Sequence, residues 1–321
     1  GSDYFGGGLA KFDGASWTTY TKADGLPTHN LYGLASDNDT LYIASSEGLI
    51  QFKNDQFTTL LDIPITSIEK DGENLYLAST QGLIHWTPST YTLYSFPAIE
   101  SLLNDTDRVW IGTKDGLAYF DKNMGTITTI PLPYIPSQNG WITDIAKQDN
   151  TLYLAGGFGL VIYKDNNFTH IDLSEATSLA LDNGYLWIGT KKEGLIRLNL
   201  SDYSKEIFTL QNSGLPSNEI TCLNKQTELY IGTRLGLVSY TSAWKTYTEQ
   251  DGLLSNKVKA IEKAGDSIFF AQDRGLSWFK DDSFKNYPGR SYQTLKYLSP
   301  YLYLGAMDGL YIFDLTKETL T

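Results

Sequence analysis

The stretch LWIGTKKEGLIRL at residues 186–198 decides how this chain is read, because the chain keeps repeating it. It returns as VWIGTKDGLAYF at 109–120, LYIGTRLGLVSY at 229–240 and LYLGAMDGLYIF at 302–313. A Gly-Leu pair closes each copy, with its leucine at 9, 49, 83, 117, 160, 195, 237, 276 and 310, so successive copies lie 34 to 43 residues apart. A period of that size over nearly the whole chain marks a solenoid or a propeller.

Each unit reads as four short strands. An apolar run comes first (ITSIEK at 65–70, ITDIAK at 142–147, EITCLN at 219–224). The LYIGT strand follows, then GLxxY/F, then an outer strand such as SWTTYT at 16–21 or AWKTYT at 243–248. Short runs rich in Ile, Tyr, Trp and Thr, punctuated by Asp, Asn and Gly, are strand signatures. No stretch holds a helical period beyond two turns, so the expected class is all-β. The second strands (LYIAS, LYLAS, VWIGT, LWIGT) barely alternate between polar and apolar residues. A strand with one wet face would alternate, whereas one packed on both faces need not. Sheets stacked face to face around an axis cover both faces, which predicts a β-propeller. The small residue in these strands (Ala44, Ala78, Gly112, Gly189, Gly232, Gly305) is expected to let neighbouring blades approach.

Inner strands begin near 31, 65, 98, 142, 177, 219, 257 and 293, which predicts eight four-stranded blades, the last one closed by an outer strand from the N-terminus. Third strands number nine, one more than this scheme places. Seven blades with a displaced unit, or an excerpt of a longer array, are the alternatives. Residues 1–321 are expected to form one propeller domain.

Of the 321 residues, 41% are hydrophobic and 19% charged, a globular composition that argues against disorder. The 22 Tyr, 14 Phe and 7 Trp favour strands over helices. A net charge of −12 opposes binding to nucleic acid or to an anionic membrane. No apolar run is long enough for a membrane-spanning helix. The single cysteine, Cys222, excludes an intrachain disulfide, and its strand context predicts a buried, inert thiol. The chain opens GSDYFGGG without an initiator methionine, as a processed or trimmed chain would, and a signal or anchor segment removed upstream would leave no trace in it.

VWIGTKDGLAYFD (109–121), LWIGTKKEGLIRL (186–198), GLPSNEI (214–220) and GGGLAKFDGASWTTYTKADGLPTHN (6–30) together resemble the repeats of two-component regulator propellers. Those propellers form the extracytoplasmic sensor regions of bacterial hybrid two-component systems and also occur in stand-alone and lipoprotein forms. The resemblance covers nearly the whole chain. It implies a periplasmic or extracellular ligand-binding sensor, in that family often responding to carbohydrates, and it brings no universal catalytic motif. The sequence contains no kinase or receiver, so signal output is expected from residues or partners outside it. WD-type repeats and Asp-box sialidases match less well.

Does any copy carry chemistry? His29, His85 and His170 fall at three different repeat positions, so a zinc site is not expected. Asp and Asn clusters at 37–40, 104–107, 149–150 and 182–184 recur between first and second strands and read as turn caps in preference to calcium ligands. A Gly-x-Ser-x-Gly elbow, a phosphate loop and a His-Glu-x-x-His helix are all missing. Accordingly no catalytic residue, metal or cofactor is assigned.

Copies differ in the turn before Gly-Leu and in the linker into each inner strand, both expected at one mouth of the central channel, where ligand sites gather. The turns contribute Lys114, Phe158, Arg234 and Arg274 as ligand-binding candidates; the linkers contribute His29, Asn139, Trp141, Arg290 and Tyr292. The insertion PLPYIPSQNGW (131–141) offers aromatic and amide groups suited to stacking on a sugar or aromatic ligand, unless Trp141 plugs an inter-blade core. Arg234, Arg274 and Arg290, three of five arginines, are expected on that same face. Their forks suit carboxylates or sulfates, or pair with Glu219, Asp273 and Asp308. The leading expectation is a non-catalytic sensor that binds a glycan or small metabolite. A protein-interaction scaffold is the alternative. A glycosidase or polysaccharide lyase working through Tyr292, Asp273 and Arg274 is the remote one.

Overall fold

The computed structural model describes residues 9–12, 17–20, 25–28, 31–37, 40–54, 56–133, 141–225, 227–264, 266–298, 301–306, 309–314 and 319–320. One four-stranded antiparallel sheet forms per repeat, over residues 31–61, 65–95, 99–130, 142–171, 176–208, 220–247 and 258–288, here blades 1 to 7. Within each blade the strands pair in chain order. The class is the all-β propeller that the repeats predict.

The blade number is corrected: seven four-stranded blades, not eight. Tyr292–Leu298, Tyr301–Ala306 and Gly309–Asp314 begin like an eighth copy. Gly309–Asp314 then meets Thr319–Leu320 antiparallel and Leu9–Phe12 in parallel, at Ala10 with Tyr311, and Trp17–Tyr20 follows at the edge. The result is a six-stranded sheet. The reason lies in the surplus third strand, Leu9–Phe12. It arrives in a hairpin with its own outer partner, so the N-terminus adds two strands where the expected closure needed one.

The chain divides into two compact units, residues 99–261 and residues 1–98 with 262–321. The first holds blades 3 to 6. Its second strands are buried on both faces, with only the first residue of Arg108–Thr113 or Tyr185–Thr190 reaching solvent. Outer strands such as Thr126–Ile130 alternate between exposed and half-buried residues. The small residue of the second strand is required by the approach of the next first strand. A Cβ at Gly189 would stand 2.7 Å from Ile220 Cγ2, and one at Gly112 would stand 2.9 Å from Ile142 Cγ2.

Each first strand of this unit also bulges after its first residue. A bulge re-aims a side chain, and here it turns threonine hydroxyls toward the following sheet. Thr143, Thr177 and Thr221 donate to the carbonyls of Ala176, Ile220 and Val258 at 3.0, 2.9 and 2.6 Å. The threonine at the second position of these first strands is therefore a blade-to-blade clasp.

The other unit follows the same plan in blades 1 and 2. The second strand Asn74–Ser79 is buried beyond its first residue, and Ile65, Ile68, Leu75, Leu77 and Ile84 share one core with Leu49 and Leu61. Gly48 makes the turn into the third strand at φ 126°, where a Cβ would fall 1.7 Å from the Leu61 carbonyl oxygen. Among the described residues no helix is long and apolar enough to cross a membrane.

Candidate functional site

The turns before Gly-Leu are built in one way in most blades. A buried Ser or Thr ends the second strand and donates to the carbonyl of the turn glycine: Ser45 to Gly48, Ser79 to Gly82, Thr113 to Gly116, Thr190 to Gly194 and Thr233 to Gly236, all at 2.7–2.9 Å. A turn amide donates back to each hydroxyl, that of Asp115 to Thr113 for example, at 3.1 Å.

Blade 4 departs from this plan, with Gly156 where the hydroxyl should be. A Cβ there would lie 2.1 Å from the carbonyl oxygen of Trp141 and 2.6 Å from the Phe158 ring. Phe158 is 6% exposed and packs with Trp110, Leu117, Ile142 and Val161. Ring and linker backbone thus fill the space a capping side chain would take. Seated on this plug, Trp141 leaves its indole 52% exposed. Lys114, in the turn of blade 3, holds its ammonium 5.1 Å from the indole centroid and 3.9 Å from Glu100 Oε1. The arrangement offers a flat apolar face bordered by a cation and a carboxylate.

Tyr292, expected to touch ligand, is 1% exposed, and Phe158 is buried as described, so both rings are taken up by the core. Arg234 lies 3.4 Å from Glu219 as a surface ion pair. Arg274 and Arg290 are exposed in the other unit, where the Arg274 carbonyl accepts from the Gly289 amide of the adjoining linker at 2.9 Å. His29 and Asn139 lie outside the described residues. Linker asparagines are spent on their own backbone: Asn218 Oδ1 accepts from the Leu210 amide and Asn256 Oδ1 from the Glu249 amide, at 2.9 and 2.8 Å. Leu215 and Leu253 of the same linkers are buried plugs.

His85 stacks on Tyr76 and bonds Asn74, burial lowering its pKa, while His170 bonds the Phe158 carbonyl. Burial pushes the Cys222 thiol up to about 12, which leaves it a poor nucleophile at neutral pH. Among the described residues no three His, Cys, Asp or Glu side chains gather as metal ligands.

Two clefts that sequence reasoning missed lie at the turns between first and second strands. One, between blades 3 and 4, has a volume of ≈ 470 Å³; the other, between blades 5 and 6, ≈ 460 Å³. They share a frame. Asp105 pairs with Lys147 at 3.1 Å, and Asp182 pairs with Lys225 at 3.0 Å. Trp110 and Trp187 donate their indole N–H to those same aspartates, both at 3.3 Å. Burial pushes the Asp105 carboxyl up, but hydrogen bonds from Thr106, Lys147 and Trp110 outweigh it and hold the group below the usual carboxylate range. Asp37 and Lys70 make the matching pair, at 3.4 Å, in the other unit. A signal was present: inner strands ending ASD, LLND and ALD alternate with ITSIEK, ITDIAK and ITCLNK, a two-blade rhythm inside the one-blade period.

No protein-family model matches the chain, and no curated protein matches it. Solved structures do. The computationally designed Ika8 protein superposes with a TM-score of 0.72 at 14% identity, over 89% of this chain and 96% of its own. The extracellular domain of the putative hybrid two-component system BT3049 from B. thetaiotaomicron superposes with 0.65 at 15% identity, over 95% of this chain and 53% of its own. That of BT4673 from the same organism gives 0.56 at 20% identity, over 98% and 49%. The chain thus spans about half the length of these two extracellular domains. The repeat motifs and the solved structures agree: the chain has a propeller fold that superposes on extracellular domains of putative hybrid two-component systems.

Proposed function

We propose that this chain is a non-catalytic sensor propeller, working outside the cytoplasm, with residues 1–321 acting as one domain. Its turn-and-linker end binds a carbohydrate or small metabolite through Trp141 and Lys114. One observation carries the reading: blade 4 gives up its hydroxyl cap at Gly156, and the plug that replaces it leaves Trp141 outward beside Lys114. A folded chain normally buries so large an apolar ring. An exposed indole can stack on the C–H face of a sugar, while the Lys114 ammonium and the Glu100 carboxylate reach its hydroxyls. The likeness to extracellular sensor domains supports the location and the role.

A glycan and metabolite library screened by calorimetry tests this. Trp141→Ala should weaken any ligand found by tenfold or more, the mark of a hot-spot aromatic, with the far-UV spectrum unchanged. If every ligand binds Trp141→Ala and Lys114→Ala as tightly as the parent, the site is elsewhere. The exposed Leu210 and Leu235, 49% and 54% accessible on a linker and a turn, favour a second reading in which this end docks a protein. A stoichiometric partner in a pull-down, lost in Leu235→Asp, would select it.

A further inference from the structure

The two clefts with a common frame differ in their remaining charged residues, and the difference points to a ligand. In both, the Asp–Lys pair and the tryptophan tie one blade to the next, so those groups are explained by packing. In the cleft between blades 5 and 6 the remaining cation is also spoken for: Arg197 pairs with Glu206 at 2.5 Å. The rest of that cleft is neutral, lined by Asn183, Tyr185, Thr241 and Ser242.

Between blades 3 and 4 the corresponding positions are charged. Counting from the shared aspartate, Arg108 stands where Tyr185 does and Asp107 where Gly184 does. Counting from the shared tyrosine (Tyr163 or Tyr240), Asp165 takes the place of Ser242. The Arg108 guanidinium lies over Trp110 and Tyr119, at 5.2 and 4.6 Å from their centroids. Face stacking of this kind leaves the N–H edges of an arginine available to an acceptor. Among the described residues the Arg108 guanidinium makes no ion pair or hydrogen bond, and neither do the carboxylates of Asp107 and Asp165. Lys122, on the strand-end turn beside the cleft, is directed at the carbonyls of Asp105 and Thr106. One cleft therefore presents an unmatched guanidinium and two unmatched carboxylates that do not reach each other.

A purely anionic ligand would meet Asp107 and Asp165, and a purely cationic one would meet Arg108. A molecule carrying both charges satisfies all three. We propose that the cleft between blades 3 and 4 binds a free α-amino acid as its zwitterion, the carboxylate on Arg108 and the ammonium toward Asp107 and Asp165. Its volume of ≈ 470 Å³ lies within the range of small-ligand sites.

The indole N–H of Trp110, hydrogen-bonded to Asp105 within the cleft, is a built-in reporter. The test is an NMR titration of ¹⁵N-labelled protein with each of the twenty amino acids, following the tryptophan indole cross-peaks. At least one amino acid should move Trp110 saturably and leave Trp187, in the neutral sister cleft, where it is. N-acetylation or methyl esterification of that amino acid should weaken binding tenfold or more, as should Arg108→Gln or Asp165→Asn. An unmoved Trp187 peak in each variant reports an intact fold. The proposal is overturned if no amino acid moves Trp110, if the blocked derivatives bind as well as the free one, or if both variants retain binding. Because Trp141 reports the turn-and-linker end separately, either site can fail without the other.

Discussion

Phe158→Ala tests whether blade 4 was rebuilt to present Trp141. Phe158 is buried in a cluster with Trp110, Leu117, Ile142, Ile145, Leu152, Leu154 and Val161, so truncation leaves a cavity in a well-packed core. Such a change costs about 3–5 kcal/mol. For 321 residues unfolding in one transition, an entropy of about 2.1 cal/mol/K per residue converts that loss into a fall in Tm of about 4–8 °C. Calorimetry reads this directly. The functional consequence is read on the Trp141 indole cross-peak, since the linker backbone rests where the Phe158 ring and Gly156 meet. That peak should move toward the position of free tryptophan as Lys114 loses its fixed ring. A Tm fall of the stated size with an unmoved Trp141 peak would refute the reasoning, because Phe158 would then fill the core without seating the linker. An unchanged Tm would refute the packing argument itself.

Two further predictions follow from the links between blades. Thr177→Val keeps the side-chain shape but removes the hydroxyl that donates to the Ile220 carbonyl, and should cost about 1 kcal/mol in urea unfolding; no measurable loss would mean the bulged threonines are not clasps. Asp144, whose carboxylate accepts from the Leu179 amide at 2.8 Å, has its pKa raised by burial above the ordinary 3.8. The folded state then holds a proton that the unfolded chain has released. The stabilisation is complete below about pH 3.8 and lost as pH rises through the folded value. The stability of the parent relative to Asp144→Asn should therefore decline from acid to neutral pH, and a difference independent of pH would count against the burial argument.

Much of the fold was legible in one dimension. Second strands such as VWIGT must be covered on both faces, and the small residue in each must admit a neighbour; both properties depend only on the local strand and its period, and Gly189 against Ile220 shows the second of them. Strand starts were legible for the same reason. The blade number was not, because counting motifs cannot show that Leu9–Phe12 pairs with Gly309–Asp314 while keeping its own outer strand.

The site was legible only in part. Trp141 and Lys114 could be singled out as candidates because they break the repeat, but their proximity to each other and the burial of Phe158 and Tyr292 could not, since a turn or linker position does not say which way a ring points. Asp105 and Lys147 are 42 residues apart and meet only when adjacent sheets stack, so the cleft they frame is a product of tertiary packing. Local pattern, then, determined the class of this protein, because every strand carries its own record of what must cover it. Which side chains share a cavity, and which charges within it go unanswered, was decided only when the sheets came together, because those relations hold between strands and are written in neither one alone.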